Sequence, residues 1–288
     1  MINYLKNILI LIRVNQPIGF LLLFFPCVWG VFAATHSFAE LYDNLYLIIL
    51  FFIGSIIMRG AGCIINDVFD YKLDRKVART KNRPIAANKI SIHNATVLFI
   101  FFSLIGLCIL LSLNSVSILI GIISFGLLVF YPLSKRFTYW PQLILGITFN
   151  TGVLIGYTSI TGQIDQIIFY VYIAGIMWTL GYDTIYAHQD KKDDLIVGVK
   201  STAILFGKNT KLWLTSFYSL VIFMLFIYGM KDTQGFLFYI GLILISYLLI
   251  RQIITLNIEN PSVCLAIFKS NQYVGFTISL VILLRIIN

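Results

Sequence analysis

Charge is what this sequence has least of. Of its 288 residues only 11% are charged, against about 25% in a soluble protein. With 59% hydrophobic residues and a mean hydropathy of +0.91, no soluble fold buries that much apolar side chain and still covers its surface. Twenty Gly and six Pro exclude collagen-like and low-complexity chains. Four Cys, all in or beside apolar runs and without a CxxC spacing, exclude a disulfide scaffold and disfavour redox or zinc chemistry. What remains is an all-α polytopic membrane protein that uses lipid as solvent. The net charge of +9 then marks inner-side loops rather than nucleic acid, because basic residues resist translocation.

A helix needs about 20 mostly apolar residues to cross the hydrocarbon. The apolar runs predict nine transmembrane helices in one bundle, at 17–36, 45–65, 93–112, 116–133, 142–161, 166–186, 212–230, 235–254 and 271–287. Asn114-Ser115 supplies the turn that splits the longest run. β-Barrel strands alternate between turns over about 10 residues, and these continuous runs do not. Placing the N-terminus inside puts 18 of the 21 basic residues on the inner side. The predicted fold is therefore N-in/C-out, with inner-side loops capping an active site, in a single domain over 1–288. In the first 16 residues Leu5, Ile8, Leu9 and Ile12 share one helical face, which predicts an interfacial helix. Neither a small-residue cleavage site nor the Arg/Ser bias of a transit peptide is expected there.

The scarce acids are not scattered. Seven of the twelve form two clusters at inner helix ends. The first closes the second span: Asn66, Asp70 and Asp74 stand at i, i+4, i+8, with Asp67 within a turn of both aspartates and Arg59 seven residues before Asn66 on the same stripe. The second closes the sixth span, where Asp183, Tyr186, Asp190 and Asp194 repeat the spacing. Stacked carboxylates repel one another, the more so near a membrane interior. Two such faces point to a divalent-cation site, with Asn66, Asp67, Asp70, Asp74, Asp190 and Asp194 as ligands. Hard oxygen donors favour Mg²⁺, which substrate phosphates complete. Either cluster alone also reads as a solvated helix end.

Cations surround these faces. Arg79 and Arg83 are spaced for bidentate grip on phosphate oxygens. Tyr131 and Lys135 end the fourth span, and Lys200 follows the second cluster. Each alone is explained by inner-side charge bias; together with the acids they indicate a diphosphate–metal site.

Asn66-Asp67-Val-Phe-Asp70-Tyr-Lys-Leu-Asp74 with Val77-Ala-Arg79-Thr80-Lys-Asn-Arg83-Pro84 resembles the NDxxDxxxD and VxRTxxRP signatures of the UbiA superfamily of intramembrane prenyltransferases. Gly181-Tyr-Asp183-Thr-Ile-Tyr186-Ala-His-Gln-Asp190-Lys-Lys-Asp193-Asp194 to Gly198-Val-Lys200-Ser201-Thr202, and the opening Arg13-Val-Asn15-Gln-Pro17-Ile-Gly19, resemble its 4-hydroxybenzoate branch. The likeness covers nearly the whole chain. It implies that Asn66, Asp70, Asp74, Asp190 and Asp194 hold Mg²⁺, and that Arg79, Arg83, Tyr131 and Lys135 contact the diphosphate. One departure is Asn88, where the family commonly has Gly; Asn tolerates left-handed backbone better than most residues.

The resemblance further implies transfer of a polyprenyl group from polyprenyl diphosphate to the carbon ortho to the hydroxyl of 4-hydroxybenzoate, an early membrane step of ubiquinone biosynthesis. Asp183, deeper in its helix, is the candidate to activate the phenol or assist the metal. Arg59 is the candidate for the acceptor carboxylate, since a buried cation needs an anion. His188 reads more readily as a surface histidine than as a base. The expected location is a bacterial cytoplasmic (inner) membrane with the site facing the cytoplasm. Alternatives are another acceptor, such as haem or a different quinone precursor, a cation-coupled transporter, and a lipid head-group phosphotransferase. Transporters place acids at the midplane, and no DG or AR dipeptide precedes Asp67 as the phosphotransferase chemistry requires. Prenyl chain length and oligomeric state are not legible.

Overall fold

Apolar periodicity and capping chemistry divide the described residues into thirteen α-helices and two short 3₁₀ helices. The computed structural model describes residues 2–287, so the first residue of the expected interfacial helix and the last of the expected domain lie outside it. No strand occurs among the described residues. Helix α1 (Ile2–Leu11) precedes α2 (Ile18–Ala34), the short α3 (Phe38–Asp43) and the long α4 (Leu45–Asp74). Then follow α5 (Ile92–Leu111), α6 (Ser115–Ser134), α7 (Pro141–Thr161), α8 (Ile168–Ala187), α9 (Lys191–Val197) and α10 (Thr202–Phe206). Helices α11 (Thr210–Lys231), α12 (Phe236–Thr255) and α13 (Pro261–Leu283) complete the chain.

Among the described residues eight helical segments are long and apolar enough to cross a membrane: α4 to α8, α10 continuing into α11, α12, and α13 with its 3₁₀ extension. Helix α2 is apolar throughout but has 17 residues. Local chemistry sets several ends. The Ser91 hydroxyl and the Asn114 carboxamide cap α5 and α6 by accepting from Asn94 and Ser117 N–H. The expected turn at Asn114-Ser115 is thus a capped helix start. Asn260 and Pro261 start α13 ten residues before the sequence-predicted position, because a Pro at the first helical turn and an Asn cap outweigh the break suggested by Lys269.

In lipid, helices associate by close packing and interhelical hydrogen bonds rather than hydrophobic contrast. A Cβ on Gly30 of α2 would sit 2.1 Å from the Val153 carbonyl oxygen of α7, and one on Gly156 2.2 Å from that of Cys27, so the two backbones touch. Trp29 and Trp178 pack 5.2 Å apart. Their indole N–H groups donate to Ser279 Oγ at 3.0 Å and Asn271 Oδ1 at 2.8 Å on α13. This fixes α2, α7, α8 and α13 as a rigid centre. Helix α5 lies at the margin, with Ala95 its one buried residue.

The N-terminal stripe divides. Leu5 and Leu9 are exposed, while Ile8 and Ile12 pack beside buried Leu11 against α4 and α5.

Candidate active site

Helix α4 does not stop at the apolar boundary. It continues through the first acidic cluster to Asp74, and so carries Arg59, Asn66, Asp70 and Asp74 down one stripe of a continuous helix. The second cluster departs from expectation: α8 ends at Ala187, three residues turn, and α9 restarts at Lys191. Asp183 stays on α8 while Asp190 and Asp194 belong to the turn and α9, so the second cluster is a bent arm rather than one helical face.

The two clusters meet. A cavity of about 700 Å³ is lined by Arg59, Asn66, Asp70, Asp74, Arg79, Arg83, Tyr131, Lys135, Asp183, Asp190, Asp194 and Lys200. Its other end is apolar and climbs between α4, α5, α6 and α7 past Phe99, Leu107, Leu110 and Leu128. Asp70, Asp74 and Asp183 are all buried. Such carboxylates persist only with cationic partners, and the chain supplies them. Lys135 ion-pairs with Asp70 Oδ2, and Arg79 with Asp190 Oδ2. Arg83 Nη1 donates to Asp74 at 2.9 Å and to Asp67 Oδ1 at 3.1 Å. Arg79 also donates to the Tyr186 hydroxyl at 3.2 Å and lies over its ring. Burial, reinforced by neighbouring Asp190, pushes the Asp194 carboxyl up to about 7 against the pull of Lys135 and Arg79.

Asp67 differs from its neighbours. It lines a smaller cavity instead, and its Oδ1 accepts from Arg13 Nη2 at 2.7 Å as well as from Arg83. Its geometry suits holding guanidiniums in place. Lys200, though at the cavity wall, donates to the Phe137 carbonyl at 3.2 Å and lies against the Tyr139 ring. Its ammonium therefore braces the segment after α6. Arg59 projects beside Gly19 of α2, where a Cβ would lie 2.6 Å from its Nε, and stands 5.9 Å from the Phe149 ring centroid.

His188 is not on the surface. It is buried, and its Nε2 is 2.9 Å from Thr210 Oγ1. That hydroxyl already donates to the Gly207 carbonyl at 2.7 Å, so Nε2 carries the proton and donates. Burial, with Lys191 nearby, lowers its pKa to about 4. Arg13 is the residue that sequence reasoning missed, its signal being its place in the motif running to Gly19, and His188 is the one it placed on the surface.

The donor set suits a hard divalent cation. Asp70 Oδ1 and Asp190 Oδ1 are buried with no hydrogen-bond partner among the described residues, so each carboxylate keeps one oxygen free beside the oxygen its cation holds. Among those residues no three His, Cys, Asp or Glu side chains converge on one point. Lys135 and Arg79 each occupy one oxygen of the aspartates they pair with. Buried oxygen donors ringed by Arg and Lys, opening into an apolar tunnel, accommodate a ligand with a phosphorylated head and a hydrocarbon tail.

Comparison with known proteins agrees. The model of the UbiA prenyltransferase family matches residues 23–280. The mitochondrial 4-hydroxybenzoate polyprenyltransferase of Aedes aegypti is 46% identical over 275 residues, 95% of this chain and 62% of the relative, so the chain spans less than two thirds of that protein's length. The human protein of the same name is 44% identical over 281 residues, 97% of this chain and 75% of the relative. A solved UbiA homologue from Archaeoglobus fulgidus, bound to GPP and Mg²⁺, superimposes with a TM-score of 0.68 at 17% identity, over 96% of this chain and 99% of its own. The relatives are eukaryotic and mitochondrial by name. This overturns the expectation of a bacterial cytoplasmic membrane and a cytoplasm-facing site, and points to a mitochondrial membrane.

Proposed function

The chain belongs to the UbiA prenyltransferase family, and on that premise we propose that it transfers a polyprenyl group from polyprenyl diphosphate to the ring carbon ortho to the hydroxyl of 4-hydroxybenzoate, an early membrane step of ubiquinone biosynthesis. The observation that carries this reading is the convergence of both acidic motifs, over a hundred residues apart, at the polar end of one cavity whose other end is an apolar tunnel. The names of the mosquito and human relatives supply the acceptor. The apolar α2 acts as a ninth span beside the eight longer segments, giving one N-in/C-out domain over 1–288 whose basic side holds the site.

In this reading Asn66, Asp70, Asp74, Asp190 and Asp194 hold Mg²⁺, as the Mg²⁺ in the archaeal homologue supports, while Asp67 keeps Arg13 and Arg83 in position. When bound, the metal neutralises charge on the diphosphate and makes it a better leaving group. Arg79, Arg83 and Lys135 swing from their carboxylates to the diphosphate oxygens, and Tyr131 donates beside them. The allylic C–O bond then breaks, its electron pair leaving with the diphosphate. The apolar tunnel excludes water that would quench the prenyl cation. Arg59 pairs with the acceptor carboxylate and Asp183 takes the phenol proton, raising electron density at the ortho carbon that attacks. The departed diphosphate accepts the ring proton, which restores aromaticity, and Asp183 returns its proton to the phenoxide oxygen. Lys200 holds the segment bearing Lys135.

Purified protein in lipid, given Mg²⁺, a polyprenyl diphosphate and a choice of 4-hydroxybenzoate, haem or another quinone precursor, tests the reading. Prenylated 4-hydroxybenzoate is the expected product. Exclusive prenylation of a different acceptor removes the acceptor assignment while leaving the chemistry.

A further inference from the structure

Beside the main cavity lies a second one of about 200 Å³, between the turn joining α1 to α2 and the loop after α4. At about 30 Å³ per water, it has room for a phosphate group and its hydration. Three guanidiniums, Arg13, Arg79 and Arg83, contribute to both cavities. Asp67 is the one carboxylate lining the small cavity, and its Oδ1 is shared by Arg13 and Arg83. Those bonds use only Nη2 of Arg13 and Nη1 of Arg83, so each guanidinium keeps further N–H donors without an acceptor among the described residues. The Arg79 side chain is 41% exposed, which opens this region to water.

Arg13 holds its place at a cost. Its φ is +55°, in the left-handed region that non-glycine residues seldom occupy, and strain of this kind persists where the surrounding structure imposes it, often at functional sites. Here the backbone twist aims the side chain across at Asp67.

We infer that the small cavity is a second oxyanion site, a vestibule through which diphosphate released in the main cavity passes to the aqueous face. The inference rests on the diphosphate reading of the main site. All three line both cavities, but the one side-chain hydrogen bond of Arg13 goes to Asp67, the carboxylate that lines the small cavity and not the main one. Two spare guanidinium edges set around one carboxylate give a fork that matches phosphate oxygens. A free diphosphate and the phosphate of an acidic lipid headgroup present the same chemistry.

The test uses full-length purified protein with Mg²⁺ and a saturating prenyl thiolodiphosphate, which fills the main cavity. Inorganic diphosphate titrated by calorimetry should then bind one further equivalent. Arg13→Gln should weaken it about tenfold, the cost of one charge-assisted hydrogen bond. Arg13→Gly, which adopts the same φ without strain, should do the same, and Lys231→Gln at the C-terminal end of α11 should not. Repeating the titration in phosphatidylcholine nanodiscs with and without phosphatidic acid separates the sources: loss of diphosphate binding with the acidic lipid shows that headgroups share the site, and unchanged binding shows that it takes the free ion. Absence of a second equivalent, or wild-type affinity in both Arg13 variants, overturns the inference. Failure of the thiolodiphosphate to bind strikes the reading of the main site instead, and Arg13-dependent diphosphate binding then decides the vestibule alone.

Discussion

Lys135, just past the end of α6, ion-pairs with Asp70 Oδ2 on α4, while the other oxygen of that carboxylate is buried with no partner among the described residues. The lysine therefore stands in for part of a cation on a carboxylate proposed to hold one. Replacing it frees the aspartate and deprives the diphosphate of a charge. Lys135→Gln should raise Mn²⁺ affinity of the donor-free protein about tenfold, and lower prenyl transfer about a hundredfold. Unchanged or weaker Mn²⁺ binding would show that the lysine does not compete with the metal.

Gly19 gives Arg59 its passage. A Cβ there meets Nε at 2.6 Å, so Gly19→Ala must displace the guanidinium from its seat beside Phe149. Misplacement of a positioning group by about 1 Å costs on the order of a hundredfold. The expected kinetic signature is a rise in the 4-hydroxybenzoate KM with the donor KM little changed. Equal effects on both substrates would remove Arg59 from the acceptor.

His188 ties the turn before α9 to the start of α11 through Thr210. Its folded pKa, about 4, lies below the ordinary 6.5. The unfolded chain therefore binds the extra proton first, and this group's contribution to stability is complete above about pH 6.5 and is lost as pH falls toward 4. Thermal unfolding between pH 7 and 4.5 should show a steeper loss for wild type than for His188→Gln, which keeps a donor for Thr210 without titrating. Parallel curves would contradict the assignment.

Asn88 has φ +56° and accepts from Arg75 through its side chain. Asn88→Gly should leave stability nearly unchanged, because glycine takes that φ freely. Asn88→Ala should lose about 1–2 kcal/mol from the backbone alone, seen as a lower melting temperature. An alanine variant as stable as the glycine one would show that this turn carries no conformational demand.

Much of this was legible because charge is scarce. Asn66, Asp70 and Asp74 sit at helical spacing, and α4 continues to place them on one stripe. Asn88 stands at a left-handed position, as its replacement of a common glycine suggested. What failed was local geometry that depends on distant partners. Asp190 and Asp194 fit the period of α8, but the chain breaks at Ala187 and turns through His188, and no spacing reveals that a histidine in an acidic segment is buried against Thr210. Asp67 shares the metal motif's spacing, yet Arg13, 54 residues earlier, takes its carboxylate. Lys200 follows the second motif as a phosphate ligand would, but the Phe137 carbonyl and Tyr139 ring claim its ammonium. These contacts reach across the bundle, where no spacing in the sequence reveals them.

The central claim is that the two acidic clusters act together on one diphosphate. Purified wild-type, Asp70→Ala and Asp190→Ala proteins, reconstituted in lipid with radiolabelled 4-hydroxybenzoate, polyprenyl diphosphate and Mg²⁺, test it most directly. The expected result is Mg²⁺-dependent transfer of label into a lipid-soluble product by wild type, with each variant inserted and folded yet at least about a hundredfold slower. Full turnover by either variant, or no labelled product from wild type with any prenyl donor, would contradict it.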